Sequence, residues 1–268
     1  MPPATAMTGI AGRKEMRMKR VAASILMVGL TVVLVAGCGV STGRSDGSSA
    51  KEGNDKAGEA YSPDINPADF TTTIDNKYFP LKPGTTFVYE GKTKDATERD
   101  EMAVTHDFRR VMGVKCVVVN DRVWEDGKLI EQTFDWYAQD ERGNVWYFGE
   151  DSKEYENGKV VSTKGSWEGG VDGAKPGIIM QADPEVGETY RQEYYKGKAE
   201  DKAKVLGLNE SATVPYGSFD DLLLTRDWNP LEPGVVEQKY YAPGIGNVLE
   251  VGVKGNSDRV ELIDIKKG

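Results

Sequence analysis

The chain has 268 residues, 38% of them hydrophobic and 29% charged, with 31 Gly, 12 Pro, two Cys and one His. One His and two Cys cannot supply the usual zinc or iron ligand sets and leave a single opening for a His-based dyad. A net charge of −9 opposes a nucleic-acid backbone as partner, so composition assigns no metal, no cofactor and no nucleic acid.

Taken in chain order, five basic residues (Arg13, Lys14, Arg17, Lys19, Arg20) precede the uncharged 17-residue run VAASILMVGLTVVLVAG at 21–37. That is the n-region and h-region of a secretory signal peptide over 1–37, with 1–15 read as an upstream extension or displaced start before Met16 or Met18. The run is also long enough for a short membrane span, and its ending decides the reading. Leu34-Val35-Ala36-Gly37-Cys38 resembles the lipobox of bacterial lipoproteins, which implies acylation of the Cys38 thiol (diacylglyceryl, palmitate-type chains) and cleavage before it. The expected location is the extracytoplasmic side of the cell membrane, held through the lipid. Removal of 1–37 leaves 231 residues with a net charge of −13, which anionic lipid repels, so the anchor must do the holding. Residues 39–60 are Gly, Ser, Ala and charge without an aromatic, a flexible tether with a root-mean-square reach of roughly 26 Å.

From Tyr61 the pattern changes to short alternating runs with turn signals about every ten residues, and no window carries a 3.6-residue apolar stripe. The fold class expected is all-β, a single antiparallel domain over 61–268, built as a large curved sheet or barrel-like meander with few or no helices. Predicted strands cover 85–92, 100–112, 114–125, 128–140, 144–150, 153–156 and 159–167, then 187–196, 199–206, 211–214, 218–228, 235–242, 247–254 and 257–265. Asp126-Gly127 and Asn157-Gly158 predict type I′ hairpins pairing Glu125 with Lys128 and Glu156 with Lys159. Asp140 to Asn144 predicts a turn closed by a Gly bulge, with Asp140 opposite Asn144.

Counting back from these turns sets Ala138 opposite Trp146, Trp136 opposite Phe148, Phe134 opposite Glu150, Val123 opposite Ile130 and Arg122 opposite Glu131. Phe134, Trp136, Trp146 and Phe148 then share one face, while Glu131, Thr133, Asp135 and Tyr137 share the other. The aromatic face reads as core, or alternatively as the lining of a half-barrel cavity for an apolar ligand.

The remaining chemistry is sparse. Alternation groups His106 with Met102, Val104 and Phe108 and turns Asp107 away from it, which leaves a buried or edge-satisfied histidine. Cys116 sits among valines as a small buried side chain. The acids Asp183, Glu185, Glu188, Glu200, Asp201, Asp220 and Asp221 lack calcium-loop spacing and read as solvated charge, although carboxylates paired in space could serve a hydrolase. The Gly-rich stretch 165–177 lacks the phosphate-loop pattern and is the longest irregular segment, with Trp167 as a candidate exposed contact residue.

The phrases IDNKYFPLKPGTTFVYEG (74–91), DWYAQDERGNVWYFGED (135–151) and GSWEGGVDGAKPGI (165–178) resemble those of a family of uncharacterised secreted bacterial lipoproteins, over nearly everything after Asp64. That family carries no assigned activity, so the likeness implies no catalytic residue. VPYGSFDDLLLTRDW (214–228) and KYYAPGIGNVLEV (239–251) are similar to phrases in envelope proteins with a curved antiparallel sheet, the architecture of some half-barrel lipoprotein carriers. Such carriers close their sheet with helices, and no segment here is patterned for one. The function expected is a membrane-anchored, β-rich binding or structural module for an envelope component. The alternatives are a carrier or sensor of an apolar ligand and a carboxylate-based envelope hydrolase.

Overall fold

Local turn chemistry lays out the first half of the domain in the computed structural model, which describes residues 61–92, 96–256 and 258–268. The signal peptide, Cys38 and the tether lie outside the described residues. Asp126 and Gly127 have φ of 48° and 76°, Asn157 and Gly158 have 52° and 72°, and the pairs Glu125 with Lys128 and Glu156 with Lys159 form as expected. A third turn of this kind, Met112-Gly113 with φ of 48° and 85°, joins Val111 to Val114 without the usual Asn or Asp to mark it.

The strands are β1 (Phe70–Thr71), β2 (Thr85–Lys92), β3 (Thr97–Val111), β4 (Val114–Glu125), β5 (Lys128–Asp140) and β6 (Val145–Glu156). They continue as β7 (Lys159–Ser162), β8 (Trp167–Glu168), β9 (Lys175–Met180), β10 (Thr189–Arg191), β11 (Glu193–Tyr194) and β12 (Lys202–Val214). The last four are β13 (Gly217–Trp228), β14 (Val236–Ala242), β15 (Gly246–Lys254) and β16 (Arg259–Lys267). Among the described residues there is no α-helix, only a 3-10 turn at Pro67–Asp69.

One antiparallel sheet runs β10, β12, β13, β14, β15, β16, β2, β3, β4, β5, β6, β9, β11, with the short β1 on β5 and β7 and β8 on β6. Its two ends are consecutive in sequence. β10 pairs with β12, β11 pairs with β9, and Gln192 alone lies between them, so the chain itself straps the sheet into a nearly closed barrel.

Bulges correct two of the expected registers. Ala138 does face Trp146, but the ladder then shifts by one, so Asp135 faces Glu150 and Phe134 faces Asp151. The extra residue is at Gly149, with φ of 136°, where a Cβ would lie 2.4 Å from the Trp167 carbonyl oxygen. A second shift near Ile130 places Val123 opposite Glu131 and Arg122 opposite Gln132. A third, between Val104 and Phe108, throws His106 out of the alternation, and it is exposed rather than buried.

The two faces of β3 to β6 bury different cores. Outside the barrel, Val111, Val114, Cys116, Val118, Trp136, Ala138, Trp146 and Phe148 pack beneath the incoming segment, with Ile65 and Phe70 as its anchors. The Phe70 ring meets Phe148 edge-on at 5.3 Å and Trp146 at 6.1 Å. Inside, Met102, Val104, Val117, Val119, Tyr137, Tyr147, Leu223, Tyr241 and Leu262 fill one half of the barrel. The segment 74–81 plugs that end with Ile74, Tyr78, Phe79 and Leu81. Asn76 holds the plug, donating to the Gly143 and Gln181 carbonyls at 2.9 and 3.1 Å and accepting from the amides of Tyr78 and Phe79.

Candidate functional site

The other half of the interior is lined by acids. The alternation that turns Trp136 and Trp146 outward turns Asp135 inward beside Tyr137, and the Gly149 bulge adds Glu150 to the same side. Glu98 and Asp100 come from β3, Asp121 from β4, Glu193 from β11, Asp227 from β13, Glu237 from β14 and Glu250 from β15, all at most 9% exposed. Glu131 and Asp201 complete a belt around the barrel. Asp201, read from sequence as solvated charge, is half-buried beside them.

Among the described residues one buried lysine, Lys239, counters this charge. The Lys239 Nζ lies 3.5 Å from Glu250 Oε2 and 3.7 Å from Asp227 Oδ2. Burial works against its charge, but Glu250 and Asp227 outweigh that and hold it well above the ordinary lysine value. Asp227 also accepts from Thr225 Oγ1 at 2.5 Å and Gln192 Nε2 at 3.3 Å.

Away from Lys239, Glu98, Glu131 and Asp135 hold their protons more tightly than ordinary carboxyls. Burial, then neighbouring carboxylates, push Glu98 up to about 7 and Glu131 up to about 8. Asp135 rises to about 8 by burial and the Asp121 charge, although Tyr147 donates to it at 2.7 Å. Three pairs meet carboxyl to carboxyl: Asp100 with Asp121, Glu193 with Asp201, and Glu250 with Glu237. In each, burial and then the facing acid raise the first-named member well above the carboxylate range, and at Glu250 the Lys239 charge works against that rise. Asp201 reaches about 6, raised by burial and restrained by Glu193 and Lys239.

This arrangement stores protons and offers little space. One cavity of about 20 Å³ lies between Phe87, Tyr89, Met102, Lys239 and Tyr241, and another of about 30 Å³ between Asp201, Asp227, Glu237 and Lys239. Each has room for about one water, whereas small-molecule pockets run to roughly 300 Å³ or more. Among the described residues no group of His, Cys, Asp and Glu is arranged to hold a metal ion.

The aromatic residues singled out from sequence lie elsewhere. Phe134, Trp136, Trp146 and Phe148 form the outer cluster under Ile65 and Phe70 and line neither cavity. The Arg109 guanidinium covers the Trp136 ring at 4.0 Å, and the Trp146 indole donates to Asp140 at 2.9 Å. Trp167, expected at the surface, is 4% exposed: β8 pairs it with Glu150, and its ring meets Tyr147 edge-on at 5.4 Å inside the barrel. The Gly-rich stretch around it is less irregular than its composition suggests, since it yields β8 and the start of β9. Cys116 is fully buried in the outer cluster, and burial pushes its thiol up to about 12, which suits packing and not nucleophilic attack.

The acid belt escaped the sequence reading because its members come from eight strands and one connection. The available signal was the run of acids at alternate positions, Glu98 with Asp100 and Glu131 with Asp135, on the side of β3 and β5 that also carries valine, methionine or tyrosine.

No family model matches the chain, and no curated protein matches it. Two solved structures are similar in fold. One is a proposed exported protein with a YmcC-like fold from Bacteroides fragilis, with a TM-score of 0.45 at 17% identity, covering 72% of this chain and 100% of that one. The other is a proposed lipoprotein from Parabacteroides distasonis, with a TM-score of 0.40 at 12% identity, covering 71% of this chain and 99% of that one. Likeness at this level assigns neither activity nor ligand.

Proposed function

We propose that the protein is an acylated lipoprotein held at the extracytoplasmic face of the membrane, whose β-barrel serves as a binding or structural module of the envelope and not as an enzyme. The observation that carries the reading is Leu34-Val35-Ala36-Gly37-Cys38, placed after a basic n-region and an apolar run and before a 22-residue polar tether that reaches the domain at Tyr61. The interior favours a module over an enzyme, since the buried acids adjoin cavities of about 20 and 30 Å³, too small for a substrate. The outer aromatic cluster favours a packing role for Trp136 and Phe148, because the domain's own entering segment occupies it.

Cys38→Ser tests the anchor. The expected result is a protein released to the soluble envelope fraction or stalled as the full-length precursor, with no acyl group on its N-terminal peptide by mass spectrometry. Unchanged processing together with unchanged membrane retention overturns the reading.

A further inference from the structure

The barrel is closed by six residues. Thr189, Tyr190 and Arg191 pair with Lys204, Ala203 and Lys202 of β12, and Glu193 and Tyr194 pair with Pro176 and Lys175 of β9. Between them the Gln192 amide donates to the Asp201 carbonyl at 2.9 Å. The strap lies tight on β9: a Cβ on Gly177 would come within 2.4 Å of the Gln192 carbonyl carbon. Two residues of ladder on one side and three on the other are a small hold compared with the ladders of β12 on β13 and β3 on β4.

Beneath this strap, Glu193 is fully buried, and neither backbone amides nor cationic side chains donate to its oxygens, which leaves them the proton shared with Asp201. The groups facing it come from every neighbouring element: Asp201 from the connection before β12, Glu150 from β6, Trp167 from β8, with the hydroxyls of Tyr137 and Tyr147 within its field from β5 and β6. Asp201 is in turn acted on by Lys239, Asp227 and Glu237, and Lys239 is already engaged by Asp227 and Glu250. The strongest influences on Glu193 are thus acids and one weakly helpful indole, and a second negative charge there meets repulsion from Asp201 and Glu150 first.

We propose that residues 189–194 form a proton-operated latch, which holds the barrel shut while Glu193 and Asp201 share a proton and lifts from β9 when that proton leaves to solvent. Repulsion among Glu193, Asp201 and Glu150 acts across the seam, where the two-pair ladder of β11 on β9 offers few backbone hydrogen bonds to resist it. The latch also grips the point where the tether enters. The Tyr61 hydroxyl donates to the Pro176 carbonyl at 2.8 Å, its ring meets Tyr194 at 5.6 Å, and the Arg191 guanidinium lies over both rings at 5.6 and 4.9 Å. Lifting the strap therefore loosens the membrane-proximal segment together with the seam.

Hydrogen exchange on the detergent-solubilised full chain, at about pH 5 and about pH 9 with intrinsic exchange corrected, tests the latch. Peptides spanning 189–201 are expected to lose protection by about tenfold or more at the higher pH, while β13 to β15 stay protected. Glu193→Gln, which cannot ionise, is expected to keep the strap protected at both pH values. Should that variant fail to fold, Asp201→Asn removes the facing charge and serves the same purpose. No local loss in the wild-type chain, a loss shared evenly by all strands, or a local loss that persists in the folded variants overturns the proposal.

Discussion

Replacing Glu98 by Gln should make the domain more stable at alkaline pH and barely alter it in acid. Glu98 points into the barrel from β3, is 5% exposed, and lies in the field of Asp258, Glu125, Asp121 and Glu237. Burial first, then those acids, move its carboxyl from the ordinary 4.5 to about 7 in the folded protein. Because the folded value is the higher one, the native state binds this proton more tightly. The stabilisation it brings is fully present below about pH 4.5 and is lost as the pH rises through about 7. At about 1.4 kcal/mol per pH unit the loss amounts to about 3 kcal/mol. Glutamine carries no such titration, so the variant should match the wild type near pH 4 and exceed it by up to about 3 kcal/mol near pH 8. Urea unfolding followed by tryptophan fluorescence at both pH values measures the difference. An advantage of the same size in acid and alkali, or a variant weaker than wild type at the higher pH, would refute the account of the belt as a set of protonated acids.

Two further outcomes follow from the same interior. Gly149→Ala should cost about 2–4 kcal/mol, since the bulge needs its positive φ and the new methyl would collide with the Trp167 carbonyl and the Trp136 ring; an unchanged Tm would count against the bulge. Lys239→Met should destabilise the fold by about 3–5 kcal/mol near pH 8 by leaving Asp227 and Glu250 without their cation. That deficit should shrink in acid, because both acids have raised values and take up protons as pH falls, and equal losses at the two pH values would sink the assignment.

The parts of this protein legible in one dimension are those governed by neighbours along the chain. Period-two alternation located β2, β4 and β5 to the residue, because strand-forming runs bounded by turn residues depend on little else. Asp126-Gly127 and Asn157-Gly158 set their hairpins because positive φ is a local demand. The separation of Phe134, Trp136, Trp146 and Phe148 from Glu131, Thr133, Asp135 and Tyr137 likewise holds. What alternation cannot say is which side closes into the barrel, since Tyr137 and Tyr147 make one face as apolar as Trp136 and Trp146 make the other.

Tertiary structure decided that question, and most of the chemistry depends on the answer. Bulges at Gly149, near Ile130 and around His106 each shift the ladder, and a shift of one residue moves a side chain through the sheet; this is how Glu150 became interior. Closure through Gln192 brought Glu193 and Asp201 against Glu150, groups on two strands and a connection with no sequence signal in common. Composition and charge still reported the excess of acid over base and the scarcity of His and Cys. Only the closed barrel showed that much of that acid is buried, where lack of a partner cation makes it hold protons that the same residues would release in water.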